Sequence, residues 1–285
     1  MQTALILIGL SVLMHVSWNI MARHVDKKAD YLWWGLLGHF ILLGPVAVYG
    51  LWCDTHWNST LIIAMMVTLV ANSGYFISLR KAYHFAPIAV VYPLARSSPL
   101  LIAIWSILLF GEQIGLLAWL AISITVVGLA WLAYTARSGD TRHALPWAIS
   151  ATLFTSIYSL SDKVAVDYLP TFPALIGFVS VGYFGAFVAL SIHNIHHIGR
   201  VVPLSRPDIK YLIPGGLFIG TAYALVIQAM QYLPAAYVVT FTNAGIVLAN
   251  ILGIVLLKET LHWQQRLLAS VVISLGLVIL SLGSV

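Results

Sequence analysis

The sequence predicts an all-α integral membrane protein in which ten transmembrane helices form two inverted five-helix repeats. Three observations lead to this prediction: the composition, the length of the uncharged segments, and a similarity between the two halves of the chain. Of the 285 residues, 61% are hydrophobic and 8% are charged, whereas soluble domains have roughly 45–50% apolar and about 25% charged residues. A soluble core does not need so much apolar material, which indicates a membrane protein.

Uncharged segments of membrane-spanning length follow one another along the chain. No Asp, Glu, Lys or Arg occurs in the ranges 31–53, 55–79, 113–136, 168–199 and 211–257, and a transmembrane helix needs roughly 20 apolar residues. The last range is too long for one helix. We expect it to break at Leu233-Pro234, because proline lacks an amide donor and disfavours the helical conformation of its predecessor.

Taken in order, the apolar segments predict ten helices joined by short connections. The first helix lacks the basic leading segment of a secretory signal and is followed by further spans, so we expect it to be retained. Since nearly the whole chain lies in the spans or close to them, any function must reside in the bundle. The predicted helices lie near residues 3–22, 31–52, 60–79, 86–110, 115–134, 146–165, 171–192, 211–232, 235–257 and 264–283.

The two halves resemble each other when residues 147 positions apart are compared. Each half, residues 1–140 and 141–285, holds five predicted helices. Because five is odd, the second half enters the membrane from the opposite side, and such inverted repeats are common in secondary transporters. The matching pairs include Ala82 with Ala229, Pro87 with Pro234, Ala89 with Ala236, Val91 with Val238, and Glu112 with Glu259.

The first half carries a recognisable order of motifs. The segment 83–87 precedes an apolar span that contains Pro99 and ends in Leu-Phe-Gly-Glu at 109–112, and another apolar span follows. This order resembles the EamA-type ten-helix members of the drug/metabolite transporter superfamily. The second copy departs from the pattern, with Lys258 where glycine is usual and Ile246 at the position of Pro99. The resemblance implies a transporter fold over nearly the whole chain and leaves the solute open.

Basic residues are concentrated on one side of the predicted bundle. Twelve of the fourteen Lys and Arg residues lie in the connections after odd-numbered helices, and Lys163 lies on the opposite side. The positive-inside rule makes the charged side cytoplasmic and places both termini outside, whereas the family resemblance implies that both termini are inside. We follow the charges and expect an external C-terminus, which a reporter active only in the cytoplasm would test.

Arg96 is the most unusual residue of the predicted spans, because it falls near the centre of the fourth helix. Arginine at the bilayer centre costs about 2.5–3.5 kcal/mol on insertion scales. No carboxylate of the predicted spans lies at the same depth, since Asp162 falls toward the end of the sixth helix. The planar guanidinium therefore predicts a site for a carboxylate or phosphate of the substrate. The alternative is that Arg96 bonds freed backbone carbonyls or reaches Asp162 and only stabilises the bundle.

Two prolines predict an interrupted helix around Arg96. Pro93 and Pro99 each stand three residues from the arginine, and each removes one backbone hydrogen bond. A broken helix near the membrane midplane is a recurring sign of a transporter site. Tyr92, one turn before Arg96, and Ser97, directly after it, add hydroxyl groups there.

Polar residues on other spans complete the predicted substrate-binding set. Several follow the i, i+3, i+4 spacing that places side chains on one helix face. The alternative for each is a hydrogen bond between helices that holds the bundle together. They are His15, Trp18, Asn19, Asn72, Tyr75, Tyr158, Tyr223 and Asn243, the last of which is the repeat equivalent of Arg96.

Several other classes of function find no support in the sequence. Cys53 is the only cysteine, which excludes an internal disulfide, and the cluster His193, His196 and His197 lacks an acidic or thiol companion, so we expect no metal site. No nucleotide-binding motif occurs, and the net charge of +5 lies mainly in the loops, which favours contact with lipid over contact with nucleic acid. We expect neither a cofactor nor an enzyme, since no set of acid, base and nucleophile shares one depth.

Together these observations predict a secondary transporter, either an exporter or an exchanger, in the inner or plasma membrane. The expected substrate is a small anionic or zwitterionic organic metabolite such as an amino acid, a carboxylate or a phosphorylated compound, carried by alternating access. The alternative is a flippase-like lipid translocase that holds a phosphate headgroup on Arg96. We expect membrane lipids as the other partner and a monomer, because one chain already supplies both inverted halves.

Overall fold

The computed structural model describes residues 1–26, 29–86, 88–135, 142–255 and 262–283, and in these ranges it consists of helices and short connections without strands. Nine of the helical segments there are long and apolar enough to cross a membrane. The helices are α1 (Gln2–Arg23), α2 (Tyr31–Tyr49), α3 (Ser59–Phe85), α4 (Ile88–Ala95), α5 (Pro99–Phe110), α6 (Leu116–Thr135), α7 (Leu145–Ala165), α8 (Phe172–Ile198), α9 (Ile209–Ala229), α10 (Ala235–Thr242), α11 (Ala244–Val255) and α12 (Trp263–Gly283).

Ten spans result, as the sequence predicts. α4 and α5 together form the fourth span and α10 and α11 the ninth. α7, with 21 residues, is as long as the other spans but carries more polar side chains, and it forms the sixth. The repeat boundary predicted at 140–141 lies outside the described residues, as do Pro87, Lys258 and Glu259.

Short polar residues start several helices where the chain turns back into the bundle. The side chain of Asn58 accepts a hydrogen bond of 2.8 Å from the amide of Leu61 at the start of α3, and Thr171 accepts one of 3.3 Å from Ala174 at the start of α8. Such caps satisfy amide groups that have no partner within the helix. Gly111, at φ 65°, ends α5 in the left-handed conformation that glycine adopts without strain.

The helices pack in a pattern that repeats between the halves. α3 lies against α7 and α8, and in the same way α9 lies against α1 and α2. The remaining large contacts join equivalent helices, α2 with α8 and α6 with α12. Since α1 to α6 correspond in order to α7 to α12, these contacts describe two five-span repeats related by a pseudo-two-fold axis. The predicted fold class, two inverted repeats, is confirmed.

Glycine permits close contact where helices of different repeats cross. A Cβ atom on Gly216 of α9 would lie 2.6 Å from the carbonyl carbon of Gly38 on α2. A Cβ atom on Gly185 of α8 would lie 2.7 Å from the carbonyl oxygen of Leu69 on α3. Gly38 and Gly185 stand 147 positions apart, so these two crossings are equivalent in the repeat.

Candidate functional site

The two interrupted spans meet at the centre of the bundle. α4 ends at Ala95 and α5 begins at Pro99, so Arg96 stands in a non-helical turn between them. Asn243, its repeat equivalent, separates α10 from α11 in the second half, although that half has no proline at the position of Pro99. The Asn243 Nδ2 donates to the backbone carbonyl of Arg96 over 3.4 Å. The two breaks therefore touch each other.

A cavity of about 530 Å³ opens beside the break in the fourth span. Pockets of about 300–1,000 Å³ are typical for small ligands. Nine of the eleven residues predicted to bind substrate line this cavity, namely His15, Trp18, Asn19, Asn72, Tyr75, Tyr92, Arg96, Tyr158 and Tyr223. The sequence pattern thus brings most of the predicted set to one place.

Ser97 and Asn243, the other two predicted binding residues, do not line the cavity. The Ser97 hydroxyl donates to the backbone carbonyl of Pro93 over 3.2 Å, which is a bond within its own break. Asn243 is fully buried and faces the other break. The repeat alignment identifies Asn243 as the equivalent of Arg96 but does not tell which way its side chain points, and in the structure that side chain bonds to the backbone of the other break.

Arg96 carries a charge that the bundle does not neutralise. Its Nη2 donates to the Tyr92 hydroxyl over 2.8 Å, and its guanidinium lies 5.2 Å from the centre of the Tyr92 ring. Among the described residues no carboxylate forms an ion pair with it. The expected alternative of a lock through Asp162 is therefore wrong, because that carboxylate has other partners. The guanidinium has further N–H groups to donate.

The first span contributes a second free donor. The Trp18 indole lies 6.5 Å from the Tyr31 ring, stacked on it, and its Nε1 is buried without a hydrogen-bond partner among the described residues. His15 and Asn19 are bonded within α1: the Asn19 Nδ2 donates to the carbonyl of His15 over 2.7 Å, and the His15 Nδ1 lies 3.0 Å from the carbonyl of Ser11. The Trp18 indole N–H is therefore a donor on this wall that a bound molecule can use.

Tyrosine rings form the wall opposite to the first span. The rings of Tyr75 and Tyr158 lie 5.7 Å apart, edge to face, and those of Tyr158 and Tyr223 lie 5.8 Å apart in the same arrangement. Tyr183 stacks beside Tyr223 at 6.4 Å. Such ring pairs stabilise each other beyond the area they bury, so this wall is pre-formed.

Other lining residues were missed by the sequence reasoning. On α3 the cavity face continues the spacing of Asn72 and Tyr75 through Phe76, Arg80 and Tyr83, so helical periodicity was a sufficient signal for them. Tyr183 on α8 was also missed, although Ser180, three residues before it, lies on the same face of that mostly apolar helix.

Asp162 corrects an interpretation of the sequence. Its position near the end of the sixth helix predicts a local charge pair with Lys163 or a topology signal, but its carboxyl group is fully buried in the bundle and forms no pair with Lys163. Its Oδ1 accepts from the Thr68 hydroxyl over 3.0 Å, and its Oδ2 accepts from the Tyr223 hydroxyl. Lys163 points elsewhere and donates to the carbonyl of Met230 over 2.6 Å. The spans therefore do contain a buried carboxylate, one hydroxyl away from the cavity.

An ion pair lies at one end of the cavity. Arg80 Nη1 stands 2.8 Å from Asp30 Oδ2, and the two side chains are 31% and 18% exposed. Arg80 also donates to the Asn194 side chain over 3.1 Å. Asp30 opens α2, Arg80 lies near the end of α3 and Asn194 near the end of α8, so this cluster joins three helices where the cavity approaches the surface of the bundle.

Ten spans in two inverted repeats around a polar cavity define a multi-pass membrane transporter of the drug/metabolite type. The chain belongs to the EamA-like transporter family, whose model matches residues 2–134 and 143–282. A solved crystal structure is similar in fold, with 19% sequence identity and a TM-score of 0.71 over 99% of this chain and 97% of the other. No curated protein sequence matches the chain.

Proposed function

We propose that this protein is a secondary transporter, an exporter or an exchanger, that carries a small anionic or zwitterionic organic metabolite across the inner or plasma membrane by alternating access. The observation that carries the proposal is Arg96, a cationic side chain on a cavity wall without a carboxylate partner among the described residues. A charge buried in this way is costly unless it is paired. An anionic group on the substrate supplies the missing partner.

The rest of the cavity suits the remainder of such a molecule. The free indole N–H of Trp18 is a second donor for a carboxylate or phosphate oxygen. The faces of Tyr75, Tyr158 and Tyr223 offer apolar contact and, for a zwitterion, a cation–π site for its ammonium group. This combination favours amino acids, carboxylates and phosphorylated compounds over neutral solutes.

A second candidate, a lipid translocase, rests on another opening. A cavity of about 390 Å³ adjoins the first and shares Arg96 and Tyr92 with it. Its remaining wall is largely apolar, with Val12 and Val16 from α1 and Ile246 and Ala249 from α11. A phosphate headgroup on Arg96 with acyl chains along this wall would fit that geometry.

A thermal-shift screen with matched ligands tests the proposed substrate class. Succinate with succinamide, glycerol 3-phosphate with glycerol, and leucine with leucinamide each compare a carboxylate or phosphate with an analogue that lacks it. We expect the members with the anionic group to raise the melting temperature of the purified protein, since a ligand stabilises the state that it binds. Equal shifts within every pair would contradict an anion site. Headgroup movement in proteoliposomes without solute transport would favour the lipid translocase.

Access to the cavity should depend on the Asp30–Arg80 pair. Asp30→Asn keeps a residue that tolerates the left-handed backbone at φ 44° and that can cap α2, so it removes only the charge that holds Arg80. Ser159 on α7 lines the cavity and is buried, so a cysteine there reports entry into the cavity. We expect a small charged thiol reagent to label Ser159→Cys severalfold faster in this variant, in a Cys53→Ser background. Asp208→Asn, which breaks an exposed pair, is the control. An unchanged labelling rate would show that the pair does not restrict access.

A further inference from the structure

We propose that Asp162 is a proton-binding site that couples transport to the proton gradient; this inference rests on the proposed function and adds the coupling ion to it. Asp162 is a buried carboxyl group that accepts a hydrogen bond from the Tyr223 hydroxyl, and Tyr223 lines the transporter cavity. It lies fully buried on α7 between α3 and α9. Buried ionisable residues within membrane spans commonly mark proton pathways.

The partners of Asp162 accommodate both of its protonation states. Each carboxyl oxygen is bonded to one hydroxyl, Thr68 on one side and Tyr223 on the other. A hydroxyl donates to a carboxylate and accepts from a carboxylic acid after a rotation of its O–H bond. The Thr68 hydroxyl also accepts from the Asn72 Nδ2 over 3.1 Å, whereas Tyr223 lines the cavity and is the partner from which a proton can come.

No fixed cation holds Asp162 in the ionised state. Among the described residues it forms no ion pair, and the neighbouring Lys163 donates to a backbone carbonyl instead. An ionised carboxylate without a cation is costly in the bundle interior. Two hydroxyl ligands are also fewer than the six to eight oxygens that a hard metal cation usually takes. The site therefore favours a proton over a metal ion.

Tyr223 gives the proton a route from the cavity. A hydronium ion in the cavity gives its proton to the Tyr223 oxygen while the Tyr223 hydroxyl gives its own proton to Asp162 Oδ2. One O–H bond forms on Asp162, one breaks on hydronium, and Tyr223 ends as it began. The net result is one proton on the carboxyl group and the loss of one negative charge.

That change of charge couples the proton to the anion. An ionised Asp162 repels an anionic substrate near Arg96, because both share one low-dielectric space, with Tyr158 and Tyr223 between cavity and carboxylate. Protonation removes the repulsion, so proton and anion favour each other's binding by the same factor. We therefore expect one proton to cross the membrane with the anion, so the combined proton and anion gradients determine whether the carrier exports or exchanges the anion.

The other ionisable groups of this cavity are mainly tyrosines, which ordinarily keep their protons well beyond neutral pH. The exceptions among the lining residues are the Asp30–Arg80 pair at one end, Arg96 after α4, and His15 on α1, and of these His15 is the group whose ordinary pKa is nearest to neutrality. On the helix of Asp162 itself, the neighbouring Lys163 donates to a backbone carbonyl. The lining tyrosines are Tyr31 on α2, Tyr75 and Tyr83 on α3, Tyr92 on α4, Tyr158 on α7, Tyr183 on α8 and Tyr223 on α9.

Infrared difference spectroscopy of the reconstituted protein tests the proton site without any solute. We expect the C=O band of a protonated carboxyl group to appear as the pH is lowered. The band should be absent from Asp162→Asn and kept in His15→Gln and in the exposed control Asp167→Asn. Tyr223→Phe, which leaves the carboxyl group in place, should shift the midpoint of the titration.

Three outcomes would overturn the proposal: a band that persists in Asp162→Asn, a wild-type protein without a titrating band, or a band that responds to sodium instead of pH. Coupling is then measured with the succinate, glycerol 3-phosphate or leucine probe that stabilises the protein. Asp162→Asn should retain exchange of that probe and lose its accumulation driven by a pH gradient, and retained accumulation would contradict coupling. Because the band does not depend on a solute, the infrared test can support the proton site even if the anion site is disproved, so the two proposals can fail separately.

Discussion

Arg96→Ala is expected to abolish transport while the protein still folds. The lost interaction is a paired guanidinium and carboxylate or phosphate, in which each hydrogen bond to a charged group contributes about 1.5–3 kcal/mol. Two such bonds correspond to a loss of affinity of about 100-fold or more. The expected result is no measurable uptake of the stabilising anion into proteoliposomes, and no thermal shift by the members of the ligand pairs that carry the anionic group.

Two further variants separate binding from folding. Arg96→Lys keeps the charge and loses the planar fork, so we expect it to restore part of the affinity. Arg206→Ala removes an arginine that lies over Trp34, away from the cavity, and should transport normally. Full transport by Arg96→Ala would rule out the anion site. A melting temperature that collapses in that variant, together with loss of monodisperse protein, would assign Arg96 a structural role.

We expect Gly50→Ala to destabilise the bundle more than the same change at any glycine of α2. The π-helical turn Gly50–Asp54 follows α2, and a Cβ atom on Gly50 would lie 2.1 Å from the carbonyl carbon of Pro173. The contact is with backbone, which cannot move aside as a flexible side chain can. Overpacking of this kind costs about 1–3 kcal/mol and occasionally more.

Gly44→Ala is the matched control for this prediction. Gly44 lies in α2, six residues before Gly50, and a Cβ atom added to it would meet nothing within 4 Å. Alanine favours the helix by up to about 1 kcal/mol over glycine, so this variant should melt at the wild-type temperature or above it. Thermal unfolding in detergent measures both. Equal melting temperatures for the two variants would contradict the close approach of α2 and α8.

Hydropathy predicted the spans well, because the apolar character of a span depends on residues within one segment. The break at Arg96 was indicated by the prolines beside it. The matching break at Asn243 was not indicated by the sequence, because no proline stands at the position equivalent to Pro99. This break lies where the two central turns contact each other. A local signal thus found one break, and only the packed structure revealed the other.

The candidate site was predictable to the extent that it follows helix faces. The helical spacing that starts at Asn72 and Tyr75 identifies the residues of α3 that line the cavity, and Arg96 stood out because of its charge. The partners of Asp162 were not predicted, because its neighbour in sequence suggested a charge pair with Lys163, while α3 and α9 bring Thr68 and Tyr223 to its carboxyl group. Burial of a polar residue depends on its neighbours in space, which no single segment specifies.

The equivalent glycine crossings place the two repeats in close contact at matching points. Where α2 meets α9, the backbones of Gly38 and Gly216 lie against each other, and where α8 meets α3, Gly185 lies against the carbonyl oxygen of Leu69 and the hydroxyl of Ser73. Because the pseudo-two-fold axis relates the two crossings, a larger residue at either one would push apart an equivalent pair of helices. If the proposed alternating access operates, these two contacts are the points at which the repeats would turn against each other.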